Sequence, residues 1–422
     1  MFLGYVALRM LYLCWPHSVA AKIRQVIKGR RQWHAKTPQD CPQCRCQRPH
    51  APADLIEVTP WKTLRSRRGR KKSINSEGVA CANPACVYFG CVVESVHAMV
   101  ADGVRGRTDA IQHWKCQACG RRVTERKYTP MYHLKTAPDR ISLVMLLLAN
   151  GLDASAAARV FKHDDRTIGR WLLRGGRHAK SLHEVFFRRL RCGFLQLDEL
   201  VANIRGDAER TFVWTAIDAR TKIMPHVHVG RRMITDAYAF VHELARRLQP
   251  GHVPLFSSDG LRHYYSALTA HYGQWCAAGP RKRKPSWQVD ARLVFGMLYK
   301  IKAGRKLKEL YTQVRVGTRK QWQARATALG FSGKIQTAFV ERANLTMREL
   351  IAPLARRTWS IARSHASLEA TIHWGLCTYH FIRPHHSLRL SRARGRTPAM
   401  AARLTDHIWT TQEVLRYKIR FA

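Results

Sequence analysis

The sequence predicts an α/β protein, a mixed sheet flanked by helices with two smaller modules ahead of it. Three observations carry this. Between Phe194 and Arg348, apolar runs and helically spaced segments follow one another as strand, strand, strand, helix, strand, helix. Nine of the twelve cysteines stand before residue 120, a crowding that suits metal binding better than scattered core positions. From Arg140, between these regions, three short helical segments are divided by Asn150-Gly151 and by Lys162-His163-Asp164.

Composition limits the partners. The 422 residues carry 73 Lys plus Arg against 28 Asp plus Glu, a formal charge of +45. An excess of that size calls for a polyanion, and nucleic acid is the polyanion expected, a membrane surface being the weaker alternative. The chain is also 46% hydrophobic with 12 Trp, 13 Tyr and 14 Phe. It therefore builds packed cores and is no disordered basic tail. Its length suits roughly two to four domains.

Residues 1–40 read as an N-terminal helical segment. The opening MFLGYVALRMLYLCW is apolar, but no basic region precedes it and Arg9 interrupts it. Spanning a bilayer takes about 20 uninterrupted apolar residues, so a packing helix, or an uncertain start codon, is preferred to a signal peptide or anchor. No later stretch is long and apolar enough to span. A cytoplasmic, nucleoid-associated protein without membrane contact is expected.

Residues 41–135 read as a zinc-ribbon-like DNA-binding module. Cys81-Ala-Asn-Pro-Ala-Cys86 and Cys116-Gln-Ala-Cys119-Gly120 bring pairs of thiolates within reach of one tetrahedral, structural Zn²⁺, and the glycine suits the tight turn of a knuckle. The preferred set is Cys81, Cys86, Cys116 and Cys119, with Cys41 and Cys44 as a substitute pair. Between the pairs lies Arg65-Ser-Arg67-Arg68-Gly69-Arg70-Lys71-Lys72. Arg68 and Arg70 flank a glycine as in segments that lie along an A·T-rich minor groove, the commoner meaning of such a run being a solvated linker.

Residues 138–180 read as a helix-turn-helix. Ala157, Val160, Ile168, Trp171 and Leu172 fall at inward-packing spacings, and Asp153 or Ser155, then Asp164 or Asp165, suit N-caps. The last helix then offers Arg166, Thr167, Arg170 and Arg174 to the major groove; an ordinary small bundle is the alternative.

Residues 190–390 hold the sheet. Phe194-Leu-Gln-Leu197 is a buried strand ending at Asp198, and Thr211–Ile217 and Lys222–Val229 continue a meander. A helix from Thr235 to Leu248 follows, then Val253–Phe256 leading into Ser257-Ser258-Asp259-Gly260, and a helix from near Thr337 that carries Glu341 and Asn344. This order, with acids on the first strand, after the fourth and on a late helix, is that of a ribonuclease H-like fold. Three carboxylates converging would repel one another unless cations sat among them. Two Mg²⁺ (or Mn²⁺) ions about 3.5–4 Å apart meet that need and serve phosphodiester chemistry. Asp198, Asp259 and Glu341 are the expected ligands. Glu199 should point to the opposite face of its strand. Asp218 should cap the turn toward Thr221. Asn344, three residues after Glu341 on one helical face, supports the metal site or contacts DNA.

The stretches LQLDEL, FSSDGL and TAFVERANLTMREL, followed by ARRTW, YHFIRPHHSLRL and RTPAMAARLTD, resemble the catalytic domain of bacterial insertion-sequence transposases of the DDE type. The likeness is strongest to the branch with a cysteine zinc element and a helix-turn-helix ahead of the core, over roughly residues 41 to 415. The resemblance implies that Asp198, Asp259 and Glu341 form the catalytic triad and that Asn344 belongs to a Glu-Arg-x-Asn signature. It also implies double-stranded DNA partners, namely terminal inverted repeats and target DNA, and a homodimer or larger synaptic complex. A catalytically inactive DNA-binding regulator and a general nuclease of the same fold are the alternatives. The basic segment at about 278–333 sits where an insertion would separate Asp259 from Glu341. Trp275 just before it and Trp287, Tyr299 and Tyr311 within it interleave the charge, as in phosphate-contacting segments, a solvated surface being the alternative. His380, His385 and His386 read as structural or DNA-adjacent, and 391–422 as a C-terminal arm.

Overall fold

A computed structural model describes residues 79–90, 99–106, 110–277, 285–304, 306–391 and 394–419. The N-terminal segment, Cys41, Cys44, Arg68, Arg70 and the run Arg281–Lys284 lie outside the described residues. Among the described residues two compact units emerge, one from those between 79 and 143 joined by 412–419, the other from 144–411. Among the described residues, no helix is long and apolar enough to cross a membrane.

The smaller unit is built on an antiparallel meander of β1 (Met99–Arg105), β2 (Ile111–Cys116) and β3 (Arg122–Thr124). Its core comprises Met99, Trp114, Cys116 and Val123 with Val79, Cys81 and Tyr88. Cysteine thus supplies part of the core as well as the sulfur cluster described below.

Helix α1 (Pro138–Leu148) is followed by α2 (Ala154–Phe161) and α3 (Asp165–Phe186). The side chain of Asp153 accepts from the Ala156 N–H and that of Asp164 from the Arg166 N–H, each satisfying a donor that the first turn leaves free. Lys162 takes a left-handed conformation (φ 54°) and breaks the chain between α2 and α3. Ala157, Ile168 and Trp171 are buried. Val160, expected inside, is 67% exposed, because α2 buries only the small residues Ala157 and Ala158. Leu172 is half-buried.

The sheet-bearing body runs β4 (Phe194–Ala202), β5 (Thr211–Asp218), β6 (Val227–Gly230), α4 (Ile234–Arg247), β7 (Leu255–Asp259) and α5 (Arg262–His271). There follow β8 (Gly273–Cys276), β9 (Ser286–Val289), β10 (Val294–Ala303), β11 (Lys306–Val316), α6 (Arg319–Ala328), α7 (Ala338–Leu350) and α8 (His365–Cys377). Six strands form one mixed sheet in the order β11-β10-β7-β4-β5-β6. β4 pairs antiparallel with β5 and parallel with β7, and β10 lies parallel to β7 on its other side.

The basic segment at 278–333 therefore contributes to the sheet itself. β10 buries Val294, Phe295, Met297 and Leu298, whereas β11 is an edge strand whose residues are mostly exposed. Lysines on an edge discourage pairing with other chains, and that charge hides the strand pattern. The interleaved aromatics meet each other: Trp275 and Trp287 lie edge to face at 5.6 Å across β8–β9, and Tyr299 and Tyr311 stack at 4.6 Å across β10–β11.

Helix α7 closes one face of the sheet, with Val340, Ala343, Met347 and Leu350 packed on Leu200, Val213 and Ile217. The long α3 packs along α8, and glycine decides how closely. A Cβ at Gly176 would stand 2.1 Å from the Ala370 carbonyl oxygen, whereas one at Gly169, on the same helix, would meet nothing within 4 Å.

His183 and His380 fill this junction, fully buried, with ring nitrogens 3.3 Å apart. The other ring nitrogen of His380 accepts from the Met224 N–H. Both nitrogens of His380 are thereby engaged in packing the core.

Gly176→Ala is expected to destabilise the protein by about 1–3 kcal/mol, since the clash is with backbone that cannot rotate away. Gly169→Ala should be neutral or stabilising by up to about 1 kcal/mol, because alanine is the better helix former. Urea denaturation of the two variants beside wild type checks this.

Candidate active site and metal centres

The acidic site is built where the end of β7 lies beside the middle of β4, which runs on to Ala202, past the end expected at Asp198, because Glu199–Ala202 keep pairing with β5. β4 and β7 run parallel, with Leu197 opposite Ser258, and one step further along lie Asp198 and Asp259. Parallel strands in this register carry Asp198, mid-strand on β4, alongside Asp259, the last residue of β7. Carboxylate oxygens of Asp198, Glu199 and Asp259 lie within 4.8 Å of one another.

Glu199 does face the opposite side of β4 from Asp198, as alternation requires. Tyr264 of α5 donates its hydroxyl to Glu199 at 3.1 Å and Arg232 pairs with it at 2.5 Å, whereas Asp198 meets α7. Yet this opposite orientation does not remove Glu199 from the cluster. At the end of β7, Asp259 lies close to both carboxylates, and alternation alone does not reveal that.

On the α7 side, Asn344 donates from Nδ2 to Asp198 Oδ2 at 2.7 Å and accepts from the Thr215 hydroxyl at 3.2 Å. The amide is 3% exposed, so these bonds fix its direction. Two residues before Asp198, on the same face, Gln196 is wholly buried. It accepts from the Phe339 and Val340 N–H groups at the start of α7 and donates to the Gln336 carbonyl. A polar residue inside an apolar strand is the visible signal for this clamp.

Glu341 stands apart from the other acids. It pairs with Lys300 of β10, accepts from the Thr337 hydroxyl at 2.6 Å, and is 45% exposed. The sequence does not mark Lys300, Tyr264 or Arg232 as site residues, since nothing in their local pattern sets them apart from other surface or core positions.

Electrostatics mark the cluster as a place for cations. Burial, then the charges of Glu199 and Asp259, push the Asp198 carboxyl up to about 7. Burial also raises Glu199 and Asp259. Burial alone would raise Glu341 too, but the bonds from Lys300 and Thr337 outweigh it and hold its carboxyl below the usual range. The Lys300 ammonium acts here as a stand-in cation, pairing with Glu341 and favouring ionised Asp259. A carboxylate offers about four lone-pair sites, more than the bonds to Asp198 and Asp259 use. Hard oxygens with lone pairs to spare suit Mg²⁺ or Mn²⁺.

The second centre is the thiol cluster of the smaller unit. Sγ atoms of Cys81, Cys86, Cys116 and Cys119 all lie within 4.8 Å of one another, with 3.5 Å from Cys81 to Cys119 and 3.7 Å from Cys86 to Cys116. Four sulfurs about 2.3 Å from one Zn²⁺ stand roughly 3.8 Å apart, so the cage has the right size. Gly120, at φ 73°, turns the chain after the second pair, and its N–H bonds the Cys116 carbonyl at 2.8 Å. Burial pushes the Cys116 thiol up to about 11 and Cys81 higher still. Cys119 is brought down to about 7, its slight burial being outweighed by hydrogen bonds from the Arg121 backbone, Asn83 and the neighbouring thiols. Crowded buried thiols cannot all ionise without a cation among them.

The remaining expected residues fall as follows. Arg166 and Arg170 are exposed on α3, and Thr167 and Arg174 are half-buried there. Asp218 caps its turn, accepting at 2.8 Å from both the N–H and the hydroxyl of Thr221. No family model matches the chain, and no curated protein matches it significantly.

The raised Asp198 carboxyl has a signed consequence. The folded metal-free protein holds a proton that the unfolded chain releases, so this contribution to stability is full below about pH 4 and lost as pH rises through about 7. Asp198→Asn should therefore stabilise the metal-free protein at pH 8, by up to about 4 kcal/mol at roughly 1.4 kcal/mol per pKa unit, and change little at pH 4. Mg²⁺ should raise the melting temperature of wild type and not of the variant, which thermal melts with and without EDTA will read. For the thiol cluster, elemental analysis should find one zinc per chain in wild type and less than about a tenth as much in Cys116→Ser.

Proposed function

We propose that the protein is a DNA transposase of the DDE type, cleaving and joining phosphodiester bonds at the ends of its own insertion sequence. The observation that carries the reading is the convergence of Asp198 and Asp259 on adjacent parallel strands in a chain of net charge +45. Without a cation to meet, acids so placed only destabilise the fold. The six-stranded sheet, with three antiparallel strands, then a helix and a parallel strand, is consistent with a ribonuclease H-like core. The thiol cage and the capped α2–α3 pair are consistent with zinc-ribbon and helix-turn-helix modules that dock on terminal repeats and target DNA. A cytoplasmic site of action and a homodimer or larger synaptic complex belong to the same reading, since two ends must be joined.

When bound, Mg²⁺ or Mn²⁺ would supply Lewis acidity to the attacking and leaving oxygens at the scissile phosphate. Asp198 and Asp259 would hold it. The protein's part is orientation. Asn344 fixes the Asp198 carboxylate, and Gln196 ties that strand to α7. Tyr264 and Arg232 keep Glu199 in place, and Lys300 holds Glu341 at the rim. Water, and later a 3′ hydroxyl, would attack in the space these acids surround, with no covalent enzyme intermediate.

The identity of the third carboxylate has two readings within this function. The resemblance favours Glu341, on the helix that also orients Asp198. Proximity to Asp198 and Asp259 favours Glu199. Its bonds to Tyr264 and Arg232 argue for a fixed structural role, so Glu341 is preferred.

Strand transfer in vitro with DNA from the flanks of the reading frame should give joined products with Mg²⁺ or Mn²⁺. Asp259→Ala should lower the yield at least about a thousandfold, Glu341→Gln comparably, and Glu199→Gln no more than about tenfold. Tight binding of the flanks with no cleavage by wild type would mean an inactive DNA-binding regulator, and cleavage without end preference a general nuclease.

A further inference from the structure

We propose that a groove lined by arginines, at the Phe194 and Asp218 end of the β4–β5 pair, docks the phosphate backbone of duplex DNA. The proposal rests on the DNA reading above and adds to it a site outside the helix-turn-helix and the acidic cluster.

The groove encloses about 760 Å³ and is made where three segments meet. Arg189 and Arg191 come from the link between α3 and β4, Arg220 from the turn after β5, and Arg389, Arg396 and Arg403 from the chain beyond α8. Neither aspartate nor glutamate lines it. Among the described residues, none of these arginines forms an ion pair; Arg191 bonds Gln249 at 2.6 Å and Arg396 bonds the Met400 carbonyl at 3.1 Å. Elsewhere in the same body Arg231, Arg247, Arg292 and Arg383 each have a carboxylate partner. Gathering like charges into a concave surface costs free energy that only an anion recovers.

The backbone beneath is rigid and strained. Leu190 is pinned on both sides, its N–H to the Arg247 carbonyl and its carbonyl to the Gln249 N–H. Arg220 sits in the turn fixed by Asp218 and Thr221. The Arg396 carbonyl accepts from the His385 N–H. Arg189 and Arg403 adopt left-handed conformations, φ 54° and 60°, that a long side chain takes only at a cost. Strain of this kind is retained where placement of a side chain matters, and here two such residues face one groove.

Guanidinium is the group that matches phosphate oxygens in pairs, so the occupant is a chain of phosphates. The location separates this contact from the chemistry. Asp198 is paired with Thr215, and Leu195 with Asp218, three register steps or about 10 Å away, with Arg220 beyond. DNA held there is gripped away from the reacting phosphate. The sequence stretches YHFIRPHHSLRL and RTPAMAARLTD, which contribute nothing to the acidic cluster, thereby acquire a role.

The test is fluorescence anisotropy with a duplex of about 40 base pairs and arbitrary sequence, from roughly 50 to 250 mM salt without divalent metal. It compares wild type, Arg220→Gln/Arg389→Gln, Arg189→Asn/Arg403→Asn and the control Arg210→Gln/Arg246→Gln. Asparagine tolerates the left-handed backbone, so the second pair removes charge without refolding the turns. Each groove pair should weaken binding at least about tenfold near 150 mM salt. Each should also flatten the log–log salt slope by about 1–2, at roughly 0.9 for every phosphate that the protein no longer neutralises. The control should change affinity less than about threefold. Groove variants that match the control overturn the proposal while leaving the DNA reading intact. A wild type that binds no duplex overturns that reading as well. Inorganic triphosphate binding that the groove variants lose, with duplex affinity unchanged, overturns the DNA assignment in favour of a small polyanion.

Discussion

Repulsion among carboxylates where the end of β7 meets the middle of β4 is the constraint around which the larger unit is arranged. Parallel pairing brings Asp198 and Asp259 out side by side, and Glu199 adds a third charge within 4.8 Å. The surroundings answer in separate ways. Asn344 and Gln196 tie the strand to α7, Tyr264 and Arg232 hold Glu199, and Lys300 draws Glu341 to the rim. Even so, Asp198 keeps its proton up to about pH 7. A cluster that costs stability at neutral pH and is nonetheless clamped by this many bonds is better explained by a bound cation than by the fold's own needs.

The same logic operates in the smaller unit with sulfur in place of oxygen. Cys81 and Cys116 are core residues and members of the thiol cluster at once, so a metal held there would couple its binding to packing. In the larger unit the buried polar centre is histidine. His183 and His380 share a hydrogen bond at the α3–α8 junction, and burial lowers both, His380 to about 3, so they pack as neutral rings.

Much of this is legible in the sequence where one residue type has one dominant use. Asp198 and Asp259 follow apolar runs, the cysteine spacings mark pairs that do meet, and Asp153 and Asp164 cap the helices that follow them. Legibility fails where charge and strand character coincide. β10 and β11 read as a basic insertion because lysines on an exposed edge mask the alternation, although Val294, Phe295, Met297 and Leu298 are core. Val160 lies at an inward spacing on a helix too small-sided to bury it. The nearness of Glu199 to Asp259 and the pairing of Lys300 with Glu341 are contacts between elements, which no local pattern contains.

Metal held by Asp198 and Asp259, with Glu341 at hand, is open to a direct test. Exchange of Mg²⁺ for Fe²⁺, followed by ascorbate and peroxide, releases hydroxyl radicals at the bound ion and cuts the backbone beside it. Cuts are expected close to residues 198, 259 and 341, suppressed by excess Mg²⁺ and absent from Asp198→Asn. Backbone cuts scattered without relation to these positions, or none that Mg²⁺ suppresses, would contradict metal held there.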